Sequence, residues 1–281
     1  MKKTVATVAL LTIGGATILA GQSAQATEVG STTTNGTVLF TENDGVGGLI
    51  KPGTENTTIK LEEGASTKGS LRLTNVPHFR FGSVKVSAQA QNYPSLLTSY
   101  QTTTTDADGV VTPSGTDVKI PQFVQVADER GKNGIFKVTA TATNFTEQGV
   151  AEEDTADVLE NTRIQFYSQK LTNNVLDKTS GSDITTILSG IQNKSLTTTA
   201  MAELNSTPLT VLSTTTKGAN ASISSVVFDG SYDKDKDYST IKDDVENKEN
   251  DQVKLHVPTG ESPKSNVTYS STITWSLTDA L

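Results

Sequence analysis

The chain has 281 residues, a formal charge of −8 and no cysteine, and hydrophobic residues make up only 34% of it. The lack of cysteine excludes disulfides, thiol nucleophiles and thiolate metal sites. The acidic charge argues against a protein that binds nucleic acid or another polyanion, and the low apolar content predicts a thin hydrophobic core.

Residues 1–26 have the three parts of a secretory signal peptide. Lys2 and Lys3 provide the charged start, a mostly apolar run follows, and Ala24–Ala26 has the small-x-small pattern that signal peptidases accept. The alternative is a retained membrane anchor, but the apolar run is shorter than the about 20 residues that a spanning helix needs. Cleavage after this tripeptide is therefore predicted, and the loss of both lysines lowers the charge from −8 to −10.

The rest of the chain, residues 27–281, consists of short alternating runs separated by turn residues. Side chains of a strand alternate between two faces, so apolar residues at every second position predict one buried and one solvated face. Four such runs occur, with their apolar members at Val84, Val86, Ala88 and Ala90; at Phe136, Val138, Ala140 and Ala142; at Val253, Leu255 and Val257; and at Tyr269, Ile273, Trp275 and Leu277. This pattern predicts an all-β fold, an antiparallel β-sandwich or a barrel-like domain with long loops.

Other segments interrupt the alternation. Residues 106–109 and 45–48 have the composition of turns or loops. Apolar residues between 184 and 191 occur at helical spacing, which favours one short helix, although their β-branched side chains leave a strand as the alternative. Residues 229–251 carry nine acids and four lysines with little apolar content, which predicts an exposed loop. No linker and no internal repeat is evident, so residues 27–281 are expected to form one domain.

Candidate metal-binding and catalytic residues are few. Asp233, Asp235 and Asp237 have the spacing of a calcium loop, but Tyr238 occupies the position that requires glycine, so a solvated loop is the favoured interpretation. The two histidines lie in no nucleophile motif and at no metal-ligand spacing. Acidic pairs are too numerous to identify a glycosidase site. The prediction is therefore no enzyme, with no catalytic residue, no metal and no cofactor.

Four elements, in this order, resemble those of the WxL domain family, which are surface proteins of low-GC Gram-positive bacteria. They are Gly36–Phe40, similar to the usual opening strand; Val76–Gly82, similar to the x-V-P-x-F-x-F-G element; Val126–Gly131 with the following Phe136-Lys137-Val138, similar to the proximal motif; and Trp275-Ser276-Leu277, similar to the distal motif. The proximal motif departs from the family pattern, because Phe136 stands where tryptophan is usual. The resemblance covers nearly all of residues 27–281.

This resemblance implies a WxL domain over residues 27–281 that attaches non-covalently to the cell wall, with peptidoglycan as the ligand, and that associates with other surface proteins. The sequence fits non-covalent attachment, since no cysteine follows the signal and the final residues hold neither a sorting motif nor a hydrophobic tail. We therefore expect a secreted protein at the cell wall or cell surface, without a membrane span after cleavage. The alternative is an interaction or adhesion subunit that binds a partner surface protein or a host ligand, with indirect wall contact; a glycan hydrolase is a disfavoured third class.

The motif residues themselves allow two interpretations. Trp275 and Leu277 lie two apart and therefore on one strand face, as do Phe136 and Val138. Each pair could bind ligand, as a stacking platform for sugar, or could pack the core. An apolar face backed by a fully polar one is typical of core strands, which favours packing. A chain of charge −10 gains nothing from anionic wall polymers, so binding must rest on neutral glycan or peptide, or on another protein.

Overall fold

The computed structural model describes residues 37–39, 48–106, 111–131, 134–150, 155–176, 184–192, 200–215, 221–236, 238 and 248–280. The predicted signal peptide, most of the predicted turns at 45–48 and 106–109, and Asp237 lie outside these residues. The chain divides into two units, Met1–Phe40 and Thr41–Leu281. Where the chain is described, it contains no helix of the length and apolar character that a membrane span requires.

Nineteen strands lie within the described residues. In chain order they are β1 (Leu49–Ile50), β2 (Thr58–Leu61), β3 (Leu71–Asn75), β4 (Gln91–Leu96), β5 (Thr98–Thr105), β6 (Val111–Ile120), β7 (Phe123–Asp128), β8 (Ile135–Ala142), β9 (Phe145–Glu147), β10 (Val158–Leu159), β11 (Arg163–Phe166), β12 (Lys170–Asn173), β13 (Leu188–Ser189), β14 (Ala202–Leu204), β15 (Leu209–Thr214), β16 (Ser222–Val227), β17 (Glu249–Val257), β18 (Tyr269–Ser270) and β19 (Ile273–Ala280). A turn of 3-10 helix spans Ile184–Thr186.

These strands form five sheets, and every pairing in them is antiparallel. Four sheets have four strands each, in the orders β1-β2-β5-β6, β14-β11-β17-β4, β12-β16-β7-β3 and β13-β15-β8-β19, and the fifth has the order β10-β9-β18. The predicted all-β, sandwich-like fold is confirmed. None of the described sheets closes into a barrel.

The sheet β12-β16-β7-β3 carries a hydrophobic cluster on each face. Every residue of β7 is buried, because alternate side chains enter different clusters. Val124 and Val126 belong to the larger cluster, whereas Phe123 belongs to the smaller one. Side chains from β8, β11, β15 and β17 complete the larger cluster, and side chains from β2, β5 and β6 complete the smaller. The sheet that contains β7 is therefore the middle layer between two cores.

Three of the four predicted alternating runs are strands. The apolar positions 136, 138, 140 and 142 of β8 all point into the larger cluster, as do Val253 and Leu255 of β17. The last run is interrupted at 271–272 and forms β18 and β19. Its apolar residues pack partly buried against the same cluster, while the residues between them are exposed.

The predicted strand at 83–90 is wrong. These residues belong to no strand, and Val84 and Val86 are 42% and 56% exposed. An alternating pattern favours a strand, but a strand also needs a partner with free hydrogen-bonding groups. We call residues 82–90 the unpaired segment below.

Pro94 removes one possible hydrogen-bond partner of this segment. The neighbouring strand β4 donates one main-chain bond in its direction, from Leu96 N–H to the Arg80 carbonyl at 2.7 Å. Amide groups two residues apart in a strand point the same way, so the next donor on this edge would be residue 94. Proline has no N–H to donate. The one observed bond from this edge therefore ends at Arg80, before the unpaired segment begins, and Pro94 cannot supply a second.

The segment 184–191 differs from the predicted helix. It contains the 3-10 turn Ile184–Thr186 and then the two-residue strand β13, which pairs with β15. Leu188 and Ile191 are buried at 1% and 2% exposure. Both the helical and the strand alternative thus apply in part, each over a very short stretch.

Residues 237 and 239–247 of the acidic region 229–251 lie outside the described residues, and the described part is less exposed than predicted. Tyr232 and Tyr238 are only 1% and 3% exposed, and their rings stack with centroids 5.8 Å apart in the smaller cluster. Burial raises the pKa of both phenols. The prediction of an exposed loop is therefore wrong at these two tyrosines, because the average composition of the region conceals two anchoring rings.

The predicted opening strand at 36–40 is also not observed where it can be described. Residues 37–39 are not in a strand, and Val38 and Leu39 are 73% and 86% exposed.

Candidate functional site

Strands β8 and β19 bring the two predicted motif pairs together. They pair antiparallel over eight residue pairs, with Leu277 opposite Val138 and Trp275 opposite Ala140. Directly opposite residues of an antiparallel pair share one face of the sheet. The distal motif therefore lies beside the proximal one on the face that covers the larger cluster.

The two motif pairs differ in burial. Phe136 and Val138 are 2% and 0% exposed, whereas Trp275 and Leu277 are only partly buried against the same cluster. The reason is sheet position: β8 lies between β15 and β19, while β19 is the last strand of its sheet. The structure thus places all four residues in or against the core, and their predicted role in ligand binding stays a prediction.

An ion-pair cluster ties the proximal motif to the end of β19. Arg130 donates from Nε and Nη2 to the two carboxylate oxygens of Asp128 at 2.9 and 2.8 Å, and its Nη1 pairs with Asp279. The bonds to Asp128 make the largest contribution to a raised pKa of Arg130, and the bond to Asp279 adds to it. The guanidinium therefore stays charged. A Cβ at Gly134 would lie 2.4 Å from Arg130 Cζ, so a larger residue there would displace the guanidinium from its ion pairs.

Sequence reasoning places Asp128 and Arg130 in a motif but assigns them no role, and it does not connect them to Asp279. The only available signal is the Val-x-Asp-x-Arg-Gly pattern itself. The carboxylate of Asp128 is 1% exposed and that of Asp279 is 47% exposed. The cluster is therefore buried at β7 and solvated at β19, and its visible role is to hold the ends of these strands together.

The x-V-P-x-F-x-F-G element leads from the core to the protein surface. Phe79 contacts the rings of Phe166 and Phe228, with centroid distances of 5.7 and 5.9 Å. Gly82 then adopts a positive φ of 65°, a conformation that favours glycine. The element thus anchors one end of the unpaired segment in the larger cluster.

A cleft of about 1000 Å³ opens between this element and the loop at 263–271. One wall contains the unpaired segment as far as Gln89, and the other contains Lys264 to Ser271. The floor is apolar and includes Tyr93, Phe145, Leu159, Ile164, Leu255 and Ile273. Tyr269, Ser271 and Ile273, the beginning of the distal-motif face, line the cleft, whereas Trp275 does not.

Hydrogen bonds hold the second wall in place. The Tyr269 hydroxyl donates to Asp157 Oδ2 at 2.5 Å and accepts from the Lys264 amide at 2.9 Å. Lys264 Nζ donates to Glu147 Oε2 at 2.6 Å. Partial burial and the bond to Asp157 raise the pKa of Tyr269, and the Lys264 ammonium lowers the pKa of Glu147. Near neutral pH the phenol is therefore protonated and Glu147 is ionised.

The cleft is basic although the chain is acidic. Among the described residues that line it, Arg80, Lys85 and Lys264 are cationic and none is acidic. Arg80 forms an ion pair with Glu63 at 3.0 Å, and Lys264 forms the one with Glu147. Lys85 has no ion pair within the described parts of the chain. The charge available to a ligand is therefore that of Lys85.

The calcium-like aspartates form no visible cation site. The carboxylate of Asp233 accepts the Asp235 amide at 3.0 Å, and the carboxylate of Asp235 pairs with Lys234 at 2.6 Å. No group of three or more potential ligands is assembled by the described residues, of which Asp237 is not one. The acidic side chains seen here are engaged with their own loop.

Comparison with known proteins gives one result. A family model described as "WxL domain surface cell wall-binding" matches residues 27–280. No curated protein and no solved structure matches the chain.

Proposed function

The chain belongs to the WxL domain family of surface cell wall-binding proteins, and from this premise we propose that it is a secreted, non-catalytic protein of a Gram-positive bacterium. In this proposal residues 1–26 are removed as a signal peptide and residues 27–281 form the wall-binding domain. The domain attaches non-covalently to peptidoglycan, and other surface proteins are its further partners.

The observation that carries this proposal is the basic cleft within a domain that the family model matches from 27 to 280. Ligand sites are usually concave, mostly apolar surfaces with a few polar groups. Two segments of the family resemblance reach this cleft, the x-V-P-x-F-x-F-G element and the start of the distal-motif face. Phe136, Val138, Trp275 and Leu277 then act as packing residues that support the cleft, and the ligand contacts the cleft walls.

The geometry of the acids near the cleft supports a non-catalytic role. A glycosidase needs one carboxylic acid that is protonated near the scissile bond. The pKa of Glu147 is lowered by Lys264, which is the opposite of what a general acid requires. Asp157 accepts the Tyr269 hydroxyl and is thereby engaged in holding the wall.

Secretion is tested by N-terminal sequencing of protein extracted from the surface of the producing cells. We expect a mature N-terminus at Thr27. Recovery of Met1 in the membrane fraction would show a retained anchor and contradict the proposal.

Wall binding is tested by sedimentation of purified 27–281 with peptidoglycan from which accessory polymers have been removed. We expect saturable co-sedimentation that a chaotrope reverses, and no co-sedimentation with cellulose of equal mass. Full recovery in the supernatant would contradict direct binding. Release from intact cells only after muramidase digestion would contradict non-covalent attachment.

A second candidate function is that of an interaction or adhesion subunit. The observation in its favour is that β19 is the last strand of its sheet among the described strands, because the outer edge of such a strand can offer main-chain groups to a strand of another protein. In that case wall contact is indirect, and the purified chain sediments with whole walls that retain their proteins but not with bare peptidoglycan.

A further inference from the structure

We infer that the cleft binds the short stem peptides of peptidoglycan, not its glycan strands, and that main-chain groups of the unpaired segment and the Lys85 ammonium are the principal contacts. This inference rests on the proposed wall-binding function. It identifies the binding site on the protein and the part of the wall polymer that binds there.

The first argument is the free main chain of the unpaired segment. From Gly82 to Ala90 the described structure shows no bond between main-chain groups. Its only observed main-chain bonds to side chains are from the Tyr93 hydroxyl to the Lys85 carbonyl at 2.5 Å and from the Gln89 amide to Ser87. An extended peptide presents the complementary series of N–H and C=O groups, as in recognition by strand addition. A glycan strand has no amide backbone to complete such a series.

Pro94 contributes to this availability. Residue 94 cannot donate, and no main-chain bond from β4 reaches the unpaired segment in the described structure. Apart from the Lys85 carbonyl, which accepts from Tyr93, the main-chain groups of residues 82–87 have no observed partner that a ligand would have to displace. A peptide ligand gains these bonds without displacing protein ones.

The second argument is charge. The cleft contains Lys85 without an ion pair and no acidic lining residue among those described, in a chain of net charge −8. Stem peptides carry free carboxylates, whereas the glycan repeat away from the stem is neutral. A charge-assisted bond between an ammonium and a carboxylate is stronger than a neutral one, so this arrangement favours the peptide part of the wall.

The third argument is the apolar surface on the same wall. Val84 and Val86 are 42% and 56% exposed at the edge of the cleft. Stem peptides are rich in alanine, and small methyl side chains fit beside two exposed valines. The volume of about 1000 Å³ suits a peptide of a few residues.

The test compares three ligands with the wild-type chain. They are peptidoglycan without accessory polymers, the same material after an amidase has removed its stem peptides, and soluble stem peptide in calorimetry. We expect sedimentation with the first, at least about tenfold weaker binding to the second, and saturable binding of the soluble peptide. A peptide whose carboxylates are amidated should bind about tenfold more weakly.

The matched variants are Lys85→Met and Lys60→Met. Lys85 lines the cleft, whereas Lys60 is another exposed lysine, on β2, that does not line it. Lys85→Met should weaken binding of the stem peptide about tenfold and leave the amidated peptide unaffected. Lys60→Met should change neither affinity. Because both side chains are exposed, melting curves should be superimposable with that of the wild type.

The outcomes separate the two proposals. Undiminished binding to amidase-treated glycan would overturn the peptide assignment and leave wall binding intact. Failure to bind untreated peptidoglycan would contradict the proposed function itself. Equal affinity for an unrelated acidic peptide of protein sequence would also overturn the inference and identify the cleft as a site for a protein partner.

Discussion

Strands β8 and β19 carry the same kind of sequence pattern and lie side by side, yet they occupy different environments. Each has apolar residues at alternate positions and polar residues between them. In β8 the apolar residues Phe136 and Val138 are almost fully buried, whereas in β19 Trp275 and Leu277 remain partly exposed. The alternation therefore identifies the face that points to the core, while the number of neighbouring strands decides how completely that face is covered.

The largest expected effect that this comparison predicts is that of Phe136→Ala. The ring is 2% exposed in the centre of the larger cluster, so its removal leaves a cavity as well as lost contacts. We expect a loss of about 3–5 kcal/mol in the free energy of unfolding, measured with urea. The control is Lys137→Ala on the exposed side of the same strand, which should change this free energy by less than about 0.5 kcal/mol. Similar values for the two variants would contradict the central position of β8.

Arg130→Met tests the ion-pair cluster that joins the end of β7 to the end of β19. It leaves the Asp128 carboxylate, which is 1% exposed, without its guanidinium partner. Removal of one member of a buried pair is costly, and we expect a loss of about 3 kcal/mol in unfolding free energy. Asp279→Asn removes the pairing at the β19 end, where the carboxylate is 47% exposed, and should cost less than about 1 kcal/mol. Equal losses of unfolding free energy for Arg130→Met and Asp279→Asn would contradict a difference in burial between the two ends of the ion-pair cluster.

Trp275→Ala tests whether β19 contributes packing or a ligand platform. The indole is partly buried against the larger cluster, so we expect a loss of about 2 kcal/mol, smaller than that for Phe136→Ala. Wall binding measured well below the lowered Tm should be retained, because Trp275 does not line the cleft. An unchanged Tm with abolished binding would instead identify Trp275 as a stacking platform.

The sequence predicts local properties well and long-range ones poorly. It predicts the inward faces of β8, β17 and β19, because alternation is a property of each strand alone. It does not predict that 83–90 stays unpaired, since pairing depends on which strand edges the fold brings beside this segment. The cleft combines segments near 80, 93, 159, 255 and 269, and no local pattern reveals such a combination. The family resemblance marks two of its segments, but their roles become visible only in the fold.

The smallest expected effect is that of Ser276→Ala, which changes the residue between Trp275 and Leu277. Ser276 is exposed on the outer face of β19, opposite Thr139 of β8. Its hydroxyl supports no described core contact, and the main chain that pairs with β8 is unaffected by the substitution. We expect a change of less than about 0.5 kcal/mol in unfolding free energy and unaltered wall binding. Because the neighbouring Trp275→Ala is expected to cost several times more, the ratio of the two effects measures how strongly β19 distinguishes its two faces. A loss for Ser276→Ala as large as that for Trp275→Ala would mean that the outer face of β19 is covered in the native protein, and the comparison of a central with an edge strand would then fail.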